Sequence, residues 1–333
     1  ELQLTETQVS VQKLPTDGYT DTASIMAFGF NPVISKWSPY HGAAYSMVEA
    51  CAKVVAAGGH YEKMRFSCQE YFERMTHDPK VWGKPMSALL GSLKMQIELG
   101  LPSIGGKDSM SGTFEHINVP PTLISFGITT VDANKVISPE LKWEGNQLYL
   151  IKHTPRADRM PDVDQLKKNW AYVTEQIEAG NIVSAWAVGF GGVAEALCKM
   201  SFGNAFGVDV KISENELFDY SYGSIVVESE GSLDFENAEY LGLVTSGVDD
   251  CLRINAKNIP MADLVESAFA GYERVYPATS KPVMKRLLPK GAEGVKPYKA
   301  KKVDLRYNGE KVAEPIAYLP VFPGTNCDYD TAK

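Results

Sequence analysis

The chain has 333 residues, of which 44% are hydrophobic, 22% charged and 10% aromatic. This composition is typical of a globular protein, and the length predicts about two domains. The net charge of −8 argues against a nucleic-acid or membrane-surface binder, because both classes need a basic face. The sequence contains no apolar run of about 18 residues, so we expect no transmembrane segment. Its first ten residues lack the pattern of a signal peptide, so we expect none.

The first part of the chain alternates helix and strand patterns. Apolar residues at helical spacing predict a helix over 43–57, which Gly58 and Gly59 end. A second helix is predicted over 85–99, with Pro85 in its first turn. Its core-facing stripe is predicted to be Leu89, Leu90, Leu93 and Ile97. Residues 121–131 are rich in β-branched side chains and predict a buried strand.

Polar and turn residues between Asn134 and Asn146 predict a domain boundary. Beyond it, strand and helix patterns alternate again, which indicates an α/β or α+β domain. We predict strands over 147–153, 181–188 and 206–212 and in the runs GSIVVESE and EYLGLVT, and helices at about 164–180, 193–202 and 262–275. The segment from Ser280 to Lys311 is rich in Lys, Pro and Gly, which predicts a linker.

An apolar segment after the linker, PIAYLPVFPGTNCDYD at 315–330, predicts a new strand that runs into a turn. Because this element starts so close to Lys333, we expect the chain to be a piece of a longer polypeptide. Cys327 lies in the turn and is a poor candidate for a nucleophile, because a catalytic cysteine needs a partner histidine placed by the fold. We therefore predict no catalytic residue in this chain.

Two glycine-rich segments are candidates for phosphate binding. The first is GGKDSMSG at 105–112, in which we select Gly105, Gly106, Lys107, Asp108 and Ser109. Glycines allow backbone N–H groups to approach a phosphate, and Lys107 supplies a charge. The spacing is not that of a P-loop, and a plain glycine-rich turn remains the alternative.

The second segment, Gly189-Phe190-Gly191-Gly192, stands between a predicted strand and a helix whose N-terminus could bind an anion. With Ala194 it matches GxGxxA, and Asp209 follows where a ribose-binding acid belongs in a dinucleotide fold. An oxidoreductase domain with a bound dinucleotide is therefore the alternative function. A lone fingerprint of this kind is weak evidence.

Two longer runs carry a family resemblance. PSIGGKDSMSGTFE at 102–115 and VFPGTNCDYDTA at 321–332 resemble the large, single-chain type of phosphoribosylformylglycinamidine synthase. The resemblance implies an aminoimidazole-ribonucleotide-synthetase-like α/β (α+β) fold of two subdomains. It implies an N-terminal-type subdomain at 1–140, a C-terminal-type subdomain at 141–278, a connector at 279–312 and the first strand of a class I glutaminase domain at 313–333.

The resemblance also implies the activity of the parent enzyme, an ATP- and Mg²⁺-dependent ligase of purine biosynthesis. Ammonia from glutamine converts formylglycinamide ribonucleotide to the amidine, with ADP, phosphate and glutamate as the other products. The implied partners are the first synthetase half, which packs on this one as a pseudo-dimer, the glutaminase domain and a small phosphorylated substrate. The implied location is the cytoplasm, and we expect the isolated piece to be inactive.

Three positions depart from the metal-ligand pattern of that family. Glu49 matches a ligating Glu, but Lys53 stands where the family has Asn, and Phe190 stands where it has Asp. Glu6 matches a further acid only loosely. A lysine ammonium cannot ligate Mg²⁺, so we expect a degenerate nucleotide site that contains Gly191 and Gly192 but no tightly bound metal. From the residues alone, Glu49 and Lys53 are also spaced for an intrahelical ion pair.

Overall fold

The computed structural model describes residues 4–246, 251–277, 313–314, 316–322, 325 and 328–332. The chain divides into a unit at Glu1–Val275 and a second unit at Tyr276–Lys333. The predicted linker and Cys327 lie outside the described residues. In the second unit, the Thr325 N–H donates a hydrogen bond to the Phe322 carbonyl oxygen, and Asp328–Thr331 forms helix α8.

The first unit contains a five-stranded sheet, which we call sheet 1, with the order β1-β2-β7-β3-β4. Its strands are β1 Ser10–Lys13, β2 Thr22–Gly29, β3 Arg65–Tyr71, β4 Ser103–Ser109 and β7 Thr122–Asp132. β3 and β4 are parallel, and the other neighbours are antiparallel. The two-residue strands β5 Thr113–Phe114 and β6 Ile117–Asn118 form a separate hairpin.

A seven-stranded sheet, sheet 2, has the order β14-β13-β10-β12-β8-β11-β9. Its strands are β8 Gln147–Ile151, β9 Ile182–Ala187, β10 Gly207–Val210, β11 Ile225–Ser229, β12 Ala238–Thr245, β13 Cys251–Ile254 and β14 Lys257–Pro260. The predicted boundary at Asn134–Asn146 falls between the two sheets and stays a prediction.

Seven helices of this unit are described: α1 Pro32–Trp37, α2 Pro39–Ala56, α3 Pro79–Leu99, α4 Val163–Glu178, α5 Gly192–Phe202, α6 Glu214–Phe218 and α7 Met261–Val275. Helix α2 packs on sheet 1 and also contacts α4 and strand β9 of sheet 2. Its many small residues allow this close approach on several sides, and nearly all of its side chains are buried. No described helix is long and apolar enough to cross a membrane.

Helix α3 corrects two predictions. It begins at Pro79, not at Pro85, because Asp78 caps its N-terminus by accepting a hydrogen bond from the Lys80 N–H, and Pro79 occupies the first turn. Pro85 lies inside the helix. The predicted core stripe is exposed, since Leu89 is 50% and Ile97 is 71% accessible. The buried face is instead the one that carries the small residues Ala88, Gly91 and Ser92.

Gly91 explains which face of α3 is buried. A Cβ at this position would stand 2.0 Å from the Tyr40 carbonyl oxygen, so α2 and α3 pack backbone to backbone here. The larger leucines cannot occupy that interface and remain outside it.

Two other elements differ from expectation. The first part of the glycine-rich segment at 105–112, for which a plain turn was the alternative, lies in strand β4 as far as Ser109 and is hydrogen-bonded along β3. Residues 316–322, predicted as a strand, form none. A strand needs hydrogen bonds from a neighbouring strand, and no described residue pairs with 316–322 in that way.

Candidate functional site

The candidate site is centred on Glu49, in the middle of α2. Its side chain is buried, and its two oxygens have different partners. Oε2 accepts a hydrogen bond of 2.8 Å from the Phe30 backbone N–H. Oε1 lies 2.7 Å from the Lys53 ammonium. Burial raises the pKa of Glu49, while Lys53 and the Phe30 N–H oppose that rise.

The Lys53 ammonium is also held on its other side. Nζ donates a 3.0 Å hydrogen bond to the Phe28 carbonyl oxygen and lies 4.7 Å from the centroid of the Phe28 ring. Only 13% of the Lys53 side chain is exposed. The predicted ion pair is thus a buried, doubly anchored one, and the positive charge beside Glu49 comes from the protein itself.

Gly191 and Gly192 begin α5, as predicted, but a carboxylate already occupies this helix N-terminus. Glu195 Oε2 accepts a 2.9 Å hydrogen bond from the Gly191 N–H. A Cβ on Gly191 would stand 2.5 Å from the Cβ of Glu195. Gly192 has a φ of +68°. The N–H groups and the helix dipole that would attract a phosphate therefore face an internal anion.

Sequence reasoning missed Glu195. The signal available was an acidic residue in the first turn of a predicted helix, where a carboxylate is favourable. Whether such a residue turns back to its own helix end or points to solvent depends on its surroundings, and the sequence pattern does not show them.

The buried side chain of Tyr222 is influenced by both Glu49 and Glu195. Its hydroxyl accepts a 2.8 Å hydrogen bond from the Asn31 side-chain amide. Burial raises the Tyr222 pKa, and the charges of Glu49 and Glu195 raise it further. Both carboxylates therefore act electrostatically on this buried phenol.

Phe190 occupies the place where an acid was expected. Its ring is half-exposed and stacks on Tyr220, with 5.1 Å between the ring centroids. Glu6, the loosely matched acid, pairs with Lys199 at 3.0 Å. Among the described residues, no group of three or more His, Cys, Asp or Glu side chains could hold a metal ion. The residues present do not fit a bound Mg²⁺.

The other predicted phosphate segment lies at a groove beside α3, which Gly105, Gly106, Lys107 and Asp108 line, but its side chains point to both faces of the strand. Strand alternation places Lys107 and Ser109 on one face of β4, where the ammonium donates to the Ser109 hydroxyl and lies 6.0 Å from the Tyr71 ring centroid. Asp108 belongs to the other face, beside Glu70 of β3. Gly105 and Gly106 also lie in β4, an edge strand of sheet 1. Gly191 is far from them along the chain and follows β9 of sheet 2.

Gly106 has a packing role in this strand. A Cβ there would stand 2.5 Å from the Cys68 carbonyl oxygen on β3, whereas a Cβ at Gly105 would meet nothing within 4 Å. One of the two glycines is therefore required for the approach of β4 to β3.

Sheet 2 rules against the dinucleotide alternative. A dinucleotide fold needs parallel strands on either side of the fingerprint helix. Strand β9, before the fingerprint, is an edge strand that pairs antiparallel with β11, and β10 lies four places away. Asp209 on β10 is paired with Arg253 at 3.1 Å. The oxidoreductase interpretation is not supported, because the described strands around its motif do not have the topology that it needs.

No protein-family model matches the chain. A curated protein from Sulfurimonas denitrificans is 26% identical over 267 residues, which are 71% of this chain and 35% of that protein. One from Lactobacillus delbrueckii subsp. bulgaricus is 24% identical over 255 residues, 68% of this chain and 34% of that protein. Both are PurL. The full name of each is phosphoribosylformylglycinamidine synthase subunit PurL. The chain spans about a third of the length of these relatives.

Solved PurL structures share the fold. The chain matches the structure of PurLQS from Thermotoga maritima with a TM-score of 0.63 and 17% identity, over 79% of this chain and 47% of that one. Thiamine monophosphate kinase from Aquifex aeolicus matches with a TM-score of 0.51 and 11% identity, over 73% of this chain and 91% of that one. The predicted α/β, aminoimidazole-ribonucleotide-synthetase-like fold is confirmed.

Proposed function

We propose that this chain is the second synthetase half of a phosphoribosylformylglycinamidine synthase, followed by the start of its glutaminase domain. The carrying observation is the alignment of more than two thirds of the chain with PurL proteins, and the shared fold supports it. The run VFPGTNCDYDTA at 321–332 supports the single-chain arrangement.

The proposed reaction of the parent polypeptide is the glutamine- and ATP-dependent conversion of formylglycinamide ribonucleotide to its amidine. An amide oxygen is a poor leaving group, and phosphoryl transfer from ATP activates it for attack by ammonia. T. maritima PurL has been solved in complexes with ATP and with FGAR, which supports these substrates. We propose that the working centre lies in the other synthetase half and that the reaction takes place in the cytoplasm. The isolated piece should be inactive.

The role that we propose for this half is structural, with a degenerate nucleotide site. Three features support it. Lys53 neutralises Glu49 at 2.7 Å, Glu195 occupies the N-terminus of α5, and Phe190 offers no oxygen to a metal. A nucleotide with Mg²⁺ would have to displace two internal charges before it gained a contact.

Calorimetric titration of the chain with Mg·ADP tests the degenerate site. We expect no binding tighter than about 10 μM. In the double variant Lys53→Asn, Phe190→Asp, an amide and a carboxylate oxygen join Glu49, and Mg²⁺-dependent ADP binding should appear. Lys257→Asn, at an exposed lysine, is the matched control and should gain nothing. Tight binding by the wild type that Glu49→Ala abolishes, or no gain in the double variant, would contradict the proposal.

The parent activity needs a separate test on the complete polypeptide. ADP release should require glutamine, or ammonia, together with formylglycinamide ribonucleotide. If ADP formation does not depend on that ribonucleotide, the assignment to this ligase is wrong, whatever the titration of the degenerate site shows.

A further inference from the structure

A groove separates helix α3 from the edge of sheet 1. Its volume is about 580 Å³, and it is lined by α3 on one side and by β3 and β4 on the other. Glu49, Lys53 and Glu195 do not line it, whereas the predicted phosphate segment does, through Gly105, Gly106, Lys107 and Asp108. The exposed leucines of α3, which the sequence placed in the core, form its apolar wall.

The floor of the groove carries a buried acid. Glu70 of β3 is 5% exposed, and its Oε1 has no hydrogen-bond partner among the described residues. In a fully self-contained site a buried carboxylate oxygen is paired, because leaving it unpaired costs free energy. A ligand in the groove that donates a hydrogen bond to this carboxylate would supply the missing partner.

A second carboxylate stands beside the first. Asp108 lies opposite Glu70 in the register of β3 and β4, and it also lines the groove. The Lys107 ammonium is held on the other face of the strand by Ser109. Lys107 is the one cation among the described residues that line the groove, and because its ammonium is directed to Ser109 and the Tyr71 ring, the two carboxylates form a negative end of the groove.

The opposite wall is apolar. Met86, Leu89, Leu90 and Leu93 of α3 line the groove and are each about half exposed. This combination discriminates between cations. A hard metal ion takes six or more oxygen ligands, which two carboxylates between leucines do not supply. An ammonium group on an alkyl chain matches both ends, because it brings several N–H donors and an apolar body.

We infer that the groove between α3 and β4 is a binding site for a primary alkylammonium ligand, whose ammonium group donates to Glu70 and Asp108 while its alkyl chain packs on the leucines of α3. The ligand class is a small organic amine. The groove shares residues with the predicted phosphate segment, but the inference does not rest on the proposed ligase function or on the degenerate nucleotide site.

The ionisation of Glu70 makes the inference pH-dependent. Burial and the charge of Asp108 raise the pKa of Glu70 to about 7. The titratable groups that line the groove with Glu70 are Asp108 and Lys107 on β4 and the Cys68 thiol on β3, and the lining residues of α3 and β7 are uncharged. An alkylammonium ion binds the ionised carboxylate, so affinity should rise about tenfold from about pH 6 to about pH 8.

Calorimetry with n-pentylammonium chloride on the chain tests the inference, with 1-pentanol and MgCl₂ as alternative probes. Pentylammonium should bind saturably, and Glu70→Gln should weaken it about tenfold. Glu115→Gln, a matched change at an exposed acid on the β5–β6 hairpin, should leave the affinity unchanged. Thermal melting of each variant checks folding. If Glu70→Gln does not fold, Asp108→Asn, at an exposed position, should still weaken binding about threefold.

Three outcomes would overturn the inference. Equal affinity for 1-pentanol would indicate an apolar groove without a role for the charge. Tighter binding of Mg²⁺ than of pentylammonium would indicate a metal site. Pentylammonium binding that persists unchanged in Glu70→Gln, or that does not saturate, would place the ligand elsewhere or show that no site exists.

Discussion

Two regions of this protein bury a glutamate, and they treat it in opposite ways. Glu49 in α2 receives a backbone N–H and a lysine ammonium, both within 2.8 Å. Glu70 in β3 has an oxygen with no partner among the described residues and a carboxylate for a neighbour. The difference shows that burial of an acid does not by itself mark a ligand site. The neighbouring groups make the difference. Lys53 pairs with Glu49, whereas no described cation pairs with Oε1 of Glu70, which leaves that carboxylate available to a ligand.

The largest expected effect comes from removing the internal cation. Lys53→Met leaves Glu49 buried without its cation, with only the Phe30 N–H as a partner, which should lower the free energy of unfolding by about 3 kcal/mol at neutral pH. Loss of Lys53 raises the Glu49 pKa further in the folded protein. The loss of unfolding free energy should therefore grow as the pH rises above the pKa that Glu49 has in the unfolded chain, and it should shrink in acid. Urea unfolding at several pH values measures this.

The control for that variant is Lys199→Met. Its pair with Glu6 is much more exposed, so its removal should cost at most about 1 kcal/mol. Equal losses in the two variants would mean that the buried pair is no more important than a surface one, and the comparison would fail.

The next effect separates the two glycines that border the groove. Gly106→Ala places a Cβ 2.5 Å from the Cys68 carbonyl oxygen and should lower the free energy of unfolding by about 1–3 kcal/mol. Gly105→Ala meets nothing within 4 Å and should change stability by less than about 0.5 kcal/mol. Thermal melting compares the pair. A reversed order would show that β4 does not pair with β3 in this register.

The smallest effect has the opposite sign. The folded pKa of Glu70, about 7, lies above the ordinary value of 4.5, so its carboxylate reduces stability as pH rises from the lower value to the higher one. Glu70→Gln removes that loss of stability. The gain above pH 7 should be limited to about 1–2 kcal/mol, because the new amide is itself unpaired and this offsets part of it.

Below about pH 5 the gain from Glu70→Gln should vanish, because the wild-type acid is then protonated. Chemical unfolding at both pH values checks the sign. A destabilised variant at high pH would mean that Glu70 has a stabilising partner in solution.

Local patterns predicted several elements correctly. The small and apolar residues of α2 and the β-branched run of β7 were sufficient to predict a helix and a strand. The Glu49–Lys53 pair follows from helical spacing, and the N-terminal position of Gly191 and Gly192 on α5 follows from the strand–glycine–helix order. The fold class followed from a family resemblance and not from these patterns.

The remaining features depend on contacts between segments distant in the chain. The burial of α3 through Gly91, and not through its leucines, depends on the Tyr40 backbone. The glycine-rich segment looks like a turn locally, and only hydrogen bonding to β3 makes it a strand. The same strand pairing places the side chains of Lys107 and Asp108 on opposite faces of β4 and sets Asp108 beside Glu70.

The sequence by itself determined which residues were available: a lysine and a phenylalanine at two positions where the family resemblance implies metal ligands, and the acids Glu70 and Asp108. The tertiary structure alone decided which charges meet. Ion pairing and burial act over a few ångströms, and those distances are set by the packing of α2, α3 and the two sheets, which no local pattern specifies.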